Sequence, residues 1–252
     1  MPPGRIILIV WVIYALAFTF ALLRKPPRGR TSARVSLGKG VPLRLLIIGA
    51  TGGSGRQLVE QALAQGHQVT AFVRDPARLS LEHPHLRVVQ GDVLDPASLA
   101  PAMQGQDAVL CALGHKRLFG PSTILSQGTA NILRAMQSAG VGRFICESSL
   151  AIGNTAGRGG LLATFLVYPL ILPFYMWDKL RQEKLIEESD LDWVIVRPAA
   201  LTNGVARGQY RHGPNVGSYI LPVRFSRADV AAFMLQQLTD DTYLGRATGL
   251  CY

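Results

Sequence analysis

Acidic residues are missing from the first 59 positions of this 252-residue chain, in which Glu60 is the first. Eight basic residues lie within positions 1–44, whereas the remainder carries 18 basic and 16 acidic residues. The formal charge of +10 is therefore concentrated at the N-terminus, and the rest of the chain is close to neutral. A basic groove is not expected, so no nucleic-acid partner is predicted.

Cysteine is equally scarce, with Cys111, Cys146 and Cys251 as the three examples. Neither a C-x-x-C nor an H-E-x-x-H pattern occurs, so the sequence predicts neither a disulfide framework nor a metal site. Cys111 and Cys146 fall inside predicted core strands, where we expect them to act as small buried hydrophobic residues. This use of cysteine is typical of a reducing compartment.

Charge is also absent from residues 6–23, a run of 18 residues. As a helix, this run would be about 27 Å long, close to the ~30 Å thickness of a bilayer core. Basic residues crowd its C-terminal side, which predicts a single-pass membrane protein whose C-terminal domain lies on the cytoplasmic or mitochondrial matrix side. A transit peptide is the alternative, because the segment is rich in arginine and lacks acids, but such peptides are amphipathic.

The chain is therefore expected to have three parts. Residues 1–23 would form a transmembrane anchor, and residues 24–42 a basic linker rich in proline and glycine. Residues 43–252 would form one domain, which is long enough to bury a large core.

Glycines at positions 49, 52 and 55 follow the apolar run Leu45–Ile48 with the spacing G-x-x-G-x-x-G. Apolar residues at helical spacing come next and end at Gly66, so the pattern predicts a strand, a turn and a helix. Gly49 would form the turn, Gly52 would let the backbone approach a pyrophosphate, and Gly55 would let the helix pack against the strand. The first amides of the helix favour an anion, which predicts a dinucleotide site. The alternative is a glycine-rich turn without a ligand.

Short apolar strands alternate with helical segments along the rest of the chain. The predicted strands after the first, Leu43–Ile48, are Gln68–Val73, Leu86–Gln90, Asp107–Ala112, Arg143–Ser148 and Asp192–Arg197. The predicted helices are Ser54–Gln65, Pro96–Met103, Ser126–Ala139, Asp178–Ser189 and one that starts near Arg227 with Ser226 as its N-cap. This alternation predicts a Rossmann-type α/β fold, a doubly wound parallel sheet in a single domain.

Residues 160–177 interrupt this rhythm with a run that carries no charge but contains Pro169 and Pro173. The prolines argue against a straight spanning helix. We therefore expect an apolar insertion near residues 157–177 that packs as a flap over the cofactor cleft. The alternative is an interfacial segment that dips into a bilayer beside the anchor and admits a lipid-soluble substrate.

The end of the second strand selects the cofactor in a dinucleotide fold. Arg74 follows this strand, 25 positions after Gly49, and a guanidinium there would bind the 2′-phosphate of NADP. Asp75 is the alternative, because an acid at this point would bind the ribose 2′-hydroxyl of NAD. We expect NADP(H) as the cofactor, with NAD(H) less favoured.

These residues belong to a wider resemblance that covers residues 43–252. The motifs that carry it are Gly49–Gly55, Val73–Asp75, Gly91–Val93, Gly105–Val109, Glu188–Leu191, Arg197–Pro198 and Leu201–Gly204. With them the chain resembles the atypical short-chain dehydrogenase/reductases that carry an NmrA-like NAD(P)H-binding domain, and among these the flavin/biliverdin-IXβ reductase group. The resemblance does not extend to residues 1–42, and the apolar insertion looks longer than in those reductases.

The resemblance implies roles for individual residues. The pyrophosphate would be held by Gly49, Thr51, Gly52, Gly53, Ser54 and Gly55, and the 2′-phosphate by Arg74 with Arg78. Asp92 and Val93 would border the adenine, and Ala112, Leu113 and Gly114 would line the ribose on the nicotinamide side. Ser148 and Pro198 would lie close to the nicotinamide ring.

Tyr175 and Lys179 match the Tyr-x-x-x-Lys pattern of typical short-chain dehydrogenases, in which the lysine assists a tyrosine proton donor. The pattern also occurs by chance, so Tyr175 is either the proton donor or an apolar wall residue. Lys179 is either a ribose or substrate contact or a solvated charge. With Ser148 they are the candidate catalytic set, although the biliverdin/flavin reductases depend mainly on hydride delivery and solvent protonation. Basic residues 115–117 are expected in a solvated loop, with an anionic substrate as the alternative contact.

Three functions are compatible with these residues. The first is a membrane-anchored NADP(H)-dependent oxidoreductase that transfers hydride to a small aromatic or quinone-like acceptor. The second is a non-catalytic nucleotide-binding subunit that assists or assembles a membrane complex of the respiratory type. The third is an NADP-sensing regulator, as the NmrA resemblance implies. Turnover with an added acceptor would distinguish the first from the other two.

Overall fold

The structure is a computed structural model that describes residues 37–115 and 120–252, together with Arg5, Ile9, Trp11, Val12, Leu16 and Arg34. Its strands are β1 (Arg44–Ile48), β2 (Gln68–Val73), β3 (Leu86–Gln90), β4 (Ala108–Cys111), β5 (Arg143–Glu147), β6 (Asp192–Pro198), β7 (Ala200–Thr202), β8 (Arg211–Gly213), β9 (Arg224–Ser226) and β10 (Arg246–Cys251). Its α-helices are α1 (Gly53–Ala64), α2 (Pro96–Met103), α3 (Ile124–Ala139), α4 (Pro173–Glu187) and α5 (Arg227–Gln236).

Eight strands form one sheet in the order β3-β2-β1-β4-β5-β6-β10-β8. Neighbouring strands are parallel except at the edge, where β8 runs antiparallel to β10. Strands β7 and β9 form a separate parallel pair. The predicted doubly wound parallel sheet in a single domain is confirmed. The strand order reverses between β1 and β4, and a crevice opens at the carboxyl ends of the strands at such a point.

Helices cover both faces of the sheet, because successive side chains of a buried strand point to opposite sides. In β1, Leu45 and Ile47 pack in the core on the face that α1 and α5 cover. Leu46 and Ile48 pack in the core on the other face, which α2, α3 and α4 cover. Every residue of β4, β5 and β6 is buried, and Cys111 and Cys146 are buried free thiols, as predicted. Cys251 is also a buried free thiol.

The predicted membrane location is not supported by the structure. In the part of the chain that is described, no helix is both long enough and apolar enough to cross a bilayer. The 16 residues of α3, the longest described helix, span about 24 Å, and α3 packs one face in the core. Most of the predicted anchor, residues 6–23, lies outside the described residues, as does most of the linker over 24–42. The prediction of a single-pass membrane protein is therefore wrong.

The apolar insertion is a π-helical stretch, Ala163–Ile171, followed by α4. Pro169 lies inside the π-helical stretch, and Pro173 begins α4, so the prolines prevent one continuous helix, as expected. The insertion and its continuation into α4 expose eight large apolar side chains, here called the apolar surface: Leu161, Leu162, Phe165, Leu166, Leu170, Ile171, Phe174 and Trp177. The ring of Trp11 stacks on Phe165 with centroids 6.1 Å apart. The insertion is thus more exposed than a flap that packs over the cleft.

Candidate functional site

A cavity of about 630 Å³ opens at the carboxyl ends of β1, β2, β4 and β5, at the point where the strand order reverses. Fourteen of the seventeen predicted site residues line it: Gly49, Thr51, Gly52, Gly53, Ser54, Arg74, Arg78, Val93, Ala112, Leu113, Gly114, Ser148, Tyr175 and Lys179. Its size is in the range of sites for small-molecule ligands and cofactors.

The glycine turn fits a bound dinucleotide. The amide of Gly52 donates to the carbonyl of Gly49 over 2.9 Å, and Gly49 has φ +82°, in the left-handed region. A Cβ on Gly49 would lie 2.4 Å from the carbonyl oxygen of Ala112, so any side chain there would push β1 and β4 apart. Helix α1 begins at once, with no side-chain cap and no acidic residue in its first turn. No acidic residue of the first turn therefore competes with an anionic ligand for these amides.

The arginines at the end of β2 lie at one side of the cavity. Strand β2 ends at Val73, and both Arg74 and Arg78 line the cavity with exposed side chains. Asp75 has a different role, because its carboxylate accepts from the amide of Ala77 at 3.2 Å and caps the short 3-10 turn Pro76–Arg78. Asp75 does not line the cavity.

The opposite end of the cavity brings together the three candidate catalytic residues. Ser148 follows β5, and its hydroxyl is buried without a hydrogen-bond partner in the part of the chain that is described. Tyr175 and Lys179 are four residues apart on α4, which places them on one helical face. The ring of Tyr175 meets His115 edge-on, with centroids 5.0 Å apart. A buried hydroxyl, a phenol and an ammonium thus converge on one end of the cavity.

Lys179 is 2% exposed, which excludes the alternative of a solvated helix-face charge. Its Nζ donates to the carbonyl of Glu147 at 2.9 Å and to Gln182 Oε1 at 3.0 Å. Burial alone would lower the pKa of Lys179, but its interactions with Tyr175, Cys146 and Glu147 outweigh this and raise the pKa. The side chain therefore remains an ammonium ion beside Tyr175.

A buried polar face fixes α4 in place. The carboxylate of Asp178 accepts from the amides of Leu125 and Ser126 at 2.9 and 3.1 Å, and so caps the N-terminus of α3. Farther along, Glu183 binds the guanidinium of Arg197 with two hydrogen bonds of 2.9 and 2.7 Å, and both side chains are buried. These contacts hold Tyr175 and Lys179 at a fixed position over the sheet.

Glu147 lies beneath the glycine turn and also lines the cavity. Its carboxylate accepts from the hydroxyl of Ser54 at 2.9 Å. Burial raises the pKa of Glu147, and the charges of Lys179 and Arg227 together with the Ser54 hydrogen bond oppose this only in part.

Three predicted residues do not line the cavity. Gly55 packs α1 against the turn, since a Cβ there would lie 2.0 Å from the carbonyl oxygen of Gly49. The carboxylate of Asp92 accepts from the amide of Leu94 at 3.0 Å. Pro198 continues β6, and Leu201 rather than Pro198 reaches the cavity.

Two charged cavity residues, Glu147 and Arg227, had no role assigned from the sequence, whereas His115, which was expected in a solvated loop, lines the cavity with both ring nitrogens buried. Glu147 immediately precedes Ser148, so its place at the end of β5 is the signal that could have found it. Arg227 is the first residue of a helix far along the chain, and no local pattern connects it with the glycine turn. Lys116 and Arg117 lie outside the described residues.

A protein-family model described as NAD(P)H-binding matches residues 49–241, which includes the glycine turn, the three candidate catalytic residues and α5. This match confirms the predicted resemblance to NAD(P)H-binding proteins.

Two curated relatives share about a third of their aligned residues with this chain. An uncharacterized chloroplastic protein of Arabidopsis thaliana is 33% identical over 173 residues, which cover 66% of this chain and 61% of that protein. The photosystem II assembly factor Ycf39 of Synechocystis is 30% identical over 185 residues, which cover 72% of this chain and 49% of that factor. The match thus spans roughly half of these relatives' length.

Among solved structures, ChuY, an anaerobillin reductase of Escherichia coli O157:H7, superimposes with a TM-score of 0.68. The alignment covers 82% of this chain and 96% of ChuY at 22% identity, which shows a shared fold.

Proposed function

Because the chain belongs to the NAD(P)H-binding family, with the oxidoreductase-like Rossmann fold of the atypical short-chain dehydrogenase/reductases, we propose that it is an NADPH-dependent reductase. The observation that carries the proposal is the cavity itself. One end presents Arg74 and Arg78, and the other end presents Ser148, Tyr175 and the buried Lys179.

The preference for NADP(H) over NAD(H) rests on Arg74 and Asp75. The guanidinium groups of Arg74 and Arg78 line the cavity and suit a phosphate dianion, which they can bind with paired hydrogen bonds. The one nearby acid, Asp75, already accepts from the amide of Ala77. A ribose 2′-phosphate would therefore meet two cations here, and the carboxylate of Asp75 does not line the cavity.

At the other end, the residues suit the reduction of a carbonyl group. A bound reduced nicotinamide would supply the hydride. The hydroxyls of Ser148 and Tyr175 would hold the acceptor oxygen, and Tyr175 would donate the proton to it. The ammonium of Lys179 would stabilise the phenolate that remains, and solvent would then reprotonate Tyr175.

We propose a small aromatic or quinone-like compound as the acceptor. The rings of Tyr175 and His115 border the cavity and offer flat apolar walls. Phe174 and Trp177 of the apolar surface lie on α4 together with Tyr175, which favours a lipid-soluble acceptor.

The test is a calorimetric titration of the protein and of Arg74→Ala with NADPH and NADH, followed by NADPH oxidation with a quinone and with a flavin. Arg74→Ala should weaken NADPH binding about 10- to 100-fold, since it removes a charge-assisted contact, and should change NADH binding little. Arg87→Ala, which removes an exposed arginine of β3 outside the cavity, is the matched control. Equal losses for both nucleotides would overturn the assignment of Arg74.

A second candidate function is that of a non-catalytic assembly factor whose partners are subunits of a membrane complex. The similarity to Ycf39 favours it. The apolar surface favours it too, because its eight exposed side chains belong to one segment, whereas exposed apolar residues scattered singly need no partner. Tight NADPH binding without oxidation by any acceptor, together with co-purification of large membrane proteins, would support this function over the reductase.

A further inference from the structure

Arg227 belongs to the C-terminal part of the chain, and its side chain lies against the glycine turn. It is the first residue of α5, which packs against α1, and Gln61 Nε2 of α1 donates to the carbonyl of Ala228 at 2.9 Å. A Cβ on Gly53 would lie 2.5 Å from both Cδ and Nε of Arg227. The Arg227 side chain therefore lies directly over Gly53, and a side chain at position 53 would displace it.

The position of the guanidinium is fixed by its neighbours. Arg227 Nη1 donates to Asn203 Oδ1 at 2.6 Å, and the side chain is half-buried. The Arg227 charge also acts on the buried Glu147. Arg227 lines the cavity together with Gly52, Gly53 and Ser54, whose amides stand at the uncapped start of α1.

A cationic side chain and the positive end of a helix therefore face the same part of the cavity from two elements. Helix N-termini bind phosphate groups through their free amides, and an arginine on the opposite side supplies charge-assisted hydrogen bonds that the amides lack. The adenine-side arginines, Arg74 and Arg78, lie after β2 and belong to a different subsite.

We infer that Arg227 binds the pyrophosphate of the cofactor from the side opposite the amides of α1, with Asn203 as the residue that positions its guanidinium. This inference rests on the proposed nucleotide function. It adds a cofactor contact contributed by the C-terminal part of the chain, so the packing of α5 against α1 becomes part of the nucleotide site.

The test compares two ligands by calorimetry. NADPH carries the pyrophosphate, whereas 2′-AMP carries the 2′-phosphate on an adenosine without any 5′-phosphate. Arg227→Ala should raise the Kd for NADPH about 10- to 100-fold and leave the Kd for 2′-AMP within about twofold. Arg74→Ala should weaken both ligands. Arg227→Lys, which keeps the charge, should recover part of the loss and shows that folding is intact.

Arg224→Ala is the matched control, since it removes an exposed arginine three positions earlier that does not line the cavity. Wild-type NADPH affinity in Arg227→Ala, alongside a loss in Arg74→Ala, would overturn the role of Arg227 and leave the proposed function standing. An equal loss for both ligands in Arg227→Ala would also overturn it. If the wild-type protein bound neither ligand, the proposed function itself would fall, and this inference with it.

A double-mutant cycle tests the contact with Gly53. Gly53→Ala should displace the Arg227 side chain and weaken NADPH binding in the wild-type background. In the Arg227→Ala background the same change should add less than a twofold loss. Full additivity of the two changes would overturn the inference.

Discussion

Two parts of the cavity are built differently. The part proposed for the pyrophosphate, here the pyrophosphate end, uses backbone: glycines 49, 52 and 53 and the first amides of α1, with few demands on side chains other than Arg227. The part proposed for the nicotinamide, here the nicotinamide end, uses the side chains of Ser148, Tyr175 and Lys179, and Lys179 is held by the carbonyl of Glu147, 32 positions away in the chain. A local sequence pattern therefore identifies the first end, whereas the second depends on contacts between distant segments.

The largest expected effect lies at the nicotinamide end, where Tyr175→Phe removes one hydroxyl and keeps the ring. If Tyr175 donates the proton, kcat for NADPH oxidation should fall about 10²- to 10⁴-fold while the Kd for NADPH is unchanged. Tyr168→Phe removes the hydroxyl of a tyrosine in the insertion that does not line the cavity, and it should leave kcat unchanged. A kcat for Tyr175→Phe within a few fold of wild type would show that solvent supplies the proton.

The support of that end is tested by Glu183→Ala. The change leaves the guanidinium of Arg197 buried without its carboxylate and should lower the free energy of unfolding by about 3–5 kcal/mol in urea titrations. Glu188→Ala is the control, because its ion pair with Lys184 is exposed and contributes about 0–1 kcal/mol. Similar losses in the two variants would mean that the Arg197–Glu183 pair does not fix α4.

A comparison of Gly49→Ala, at the pyrophosphate end, with Gly140→Ala, at the end of α3, separates backbone strain from crowding. Both glycines have positive φ, but a Cβ at Gly140 meets nothing within 4 Å, so its replacement should cost about 1–2 kcal/mol of stability. Gly49→Ala adds a clash with the Ala112 carbonyl and should cost roughly 2–4 kcal/mol and remove nucleotide binding. Equal melting temperatures of the Gly49→Ala and Gly140→Ala variants would contradict the close approach of β1 and β4 at Gly49.

The smallest effect is expected for Glu147→Gln. Glu147 contacts both parts of the cavity, because it accepts from Ser54 in the glycine turn and from Lys179 at the nicotinamide end. Burial raises the pKa of Glu147, so folding favours its protonated form. Below about pH 4.3, the ordinary pKa of glutamate, the protonated Glu147 side chain makes its full contribution to the stability of the wild-type protein. This part of the stability is lost as the pH rises through the raised pKa of the folded state. Glu147→Gln should be more stable than wild type above that pH, in melting curves recorded from pH 4 to 9. A lower stability of the variant throughout this range would show that the carboxylate is needed.

The sequence predicts the elements that depend on local patterns. Strands β2 and β3 and helix α2 were predicted with the observed bounds, and α5 begins at Arg227 with the hydroxyl of Ser226 accepting from the amide of Asp229. Strand β10, Arg246–Cys251, was missed because its sequence has little apolar periodicity and its place is set by pairing with β6.

The same division holds for the candidate site: residues in local patterns could be predicted from the sequence, and residues placed by tertiary contacts could not. The glycine turn and Arg74 follow from spacing, whereas the environment of α4 does not. Polar residues on one helical face indicate a solvated surface, but Lys179, Gln182 and Glu183 bind groups that are 32, 53 and 14 positions away in the chain. Only tertiary contact shows that this face is buried.

The cap that Asp178 provides to α3 links the folding of two helices. The amides of Leu125 and Ser126 have their carboxylate acceptor on α4, more than 50 positions later. Until α4 docks, the first turn of α3 lacks this partner and should fray. Hydrogen exchange at these two amides would therefore follow the undocking of α4, and so of Tyr175 and Lys179, rather than the local opening of α3.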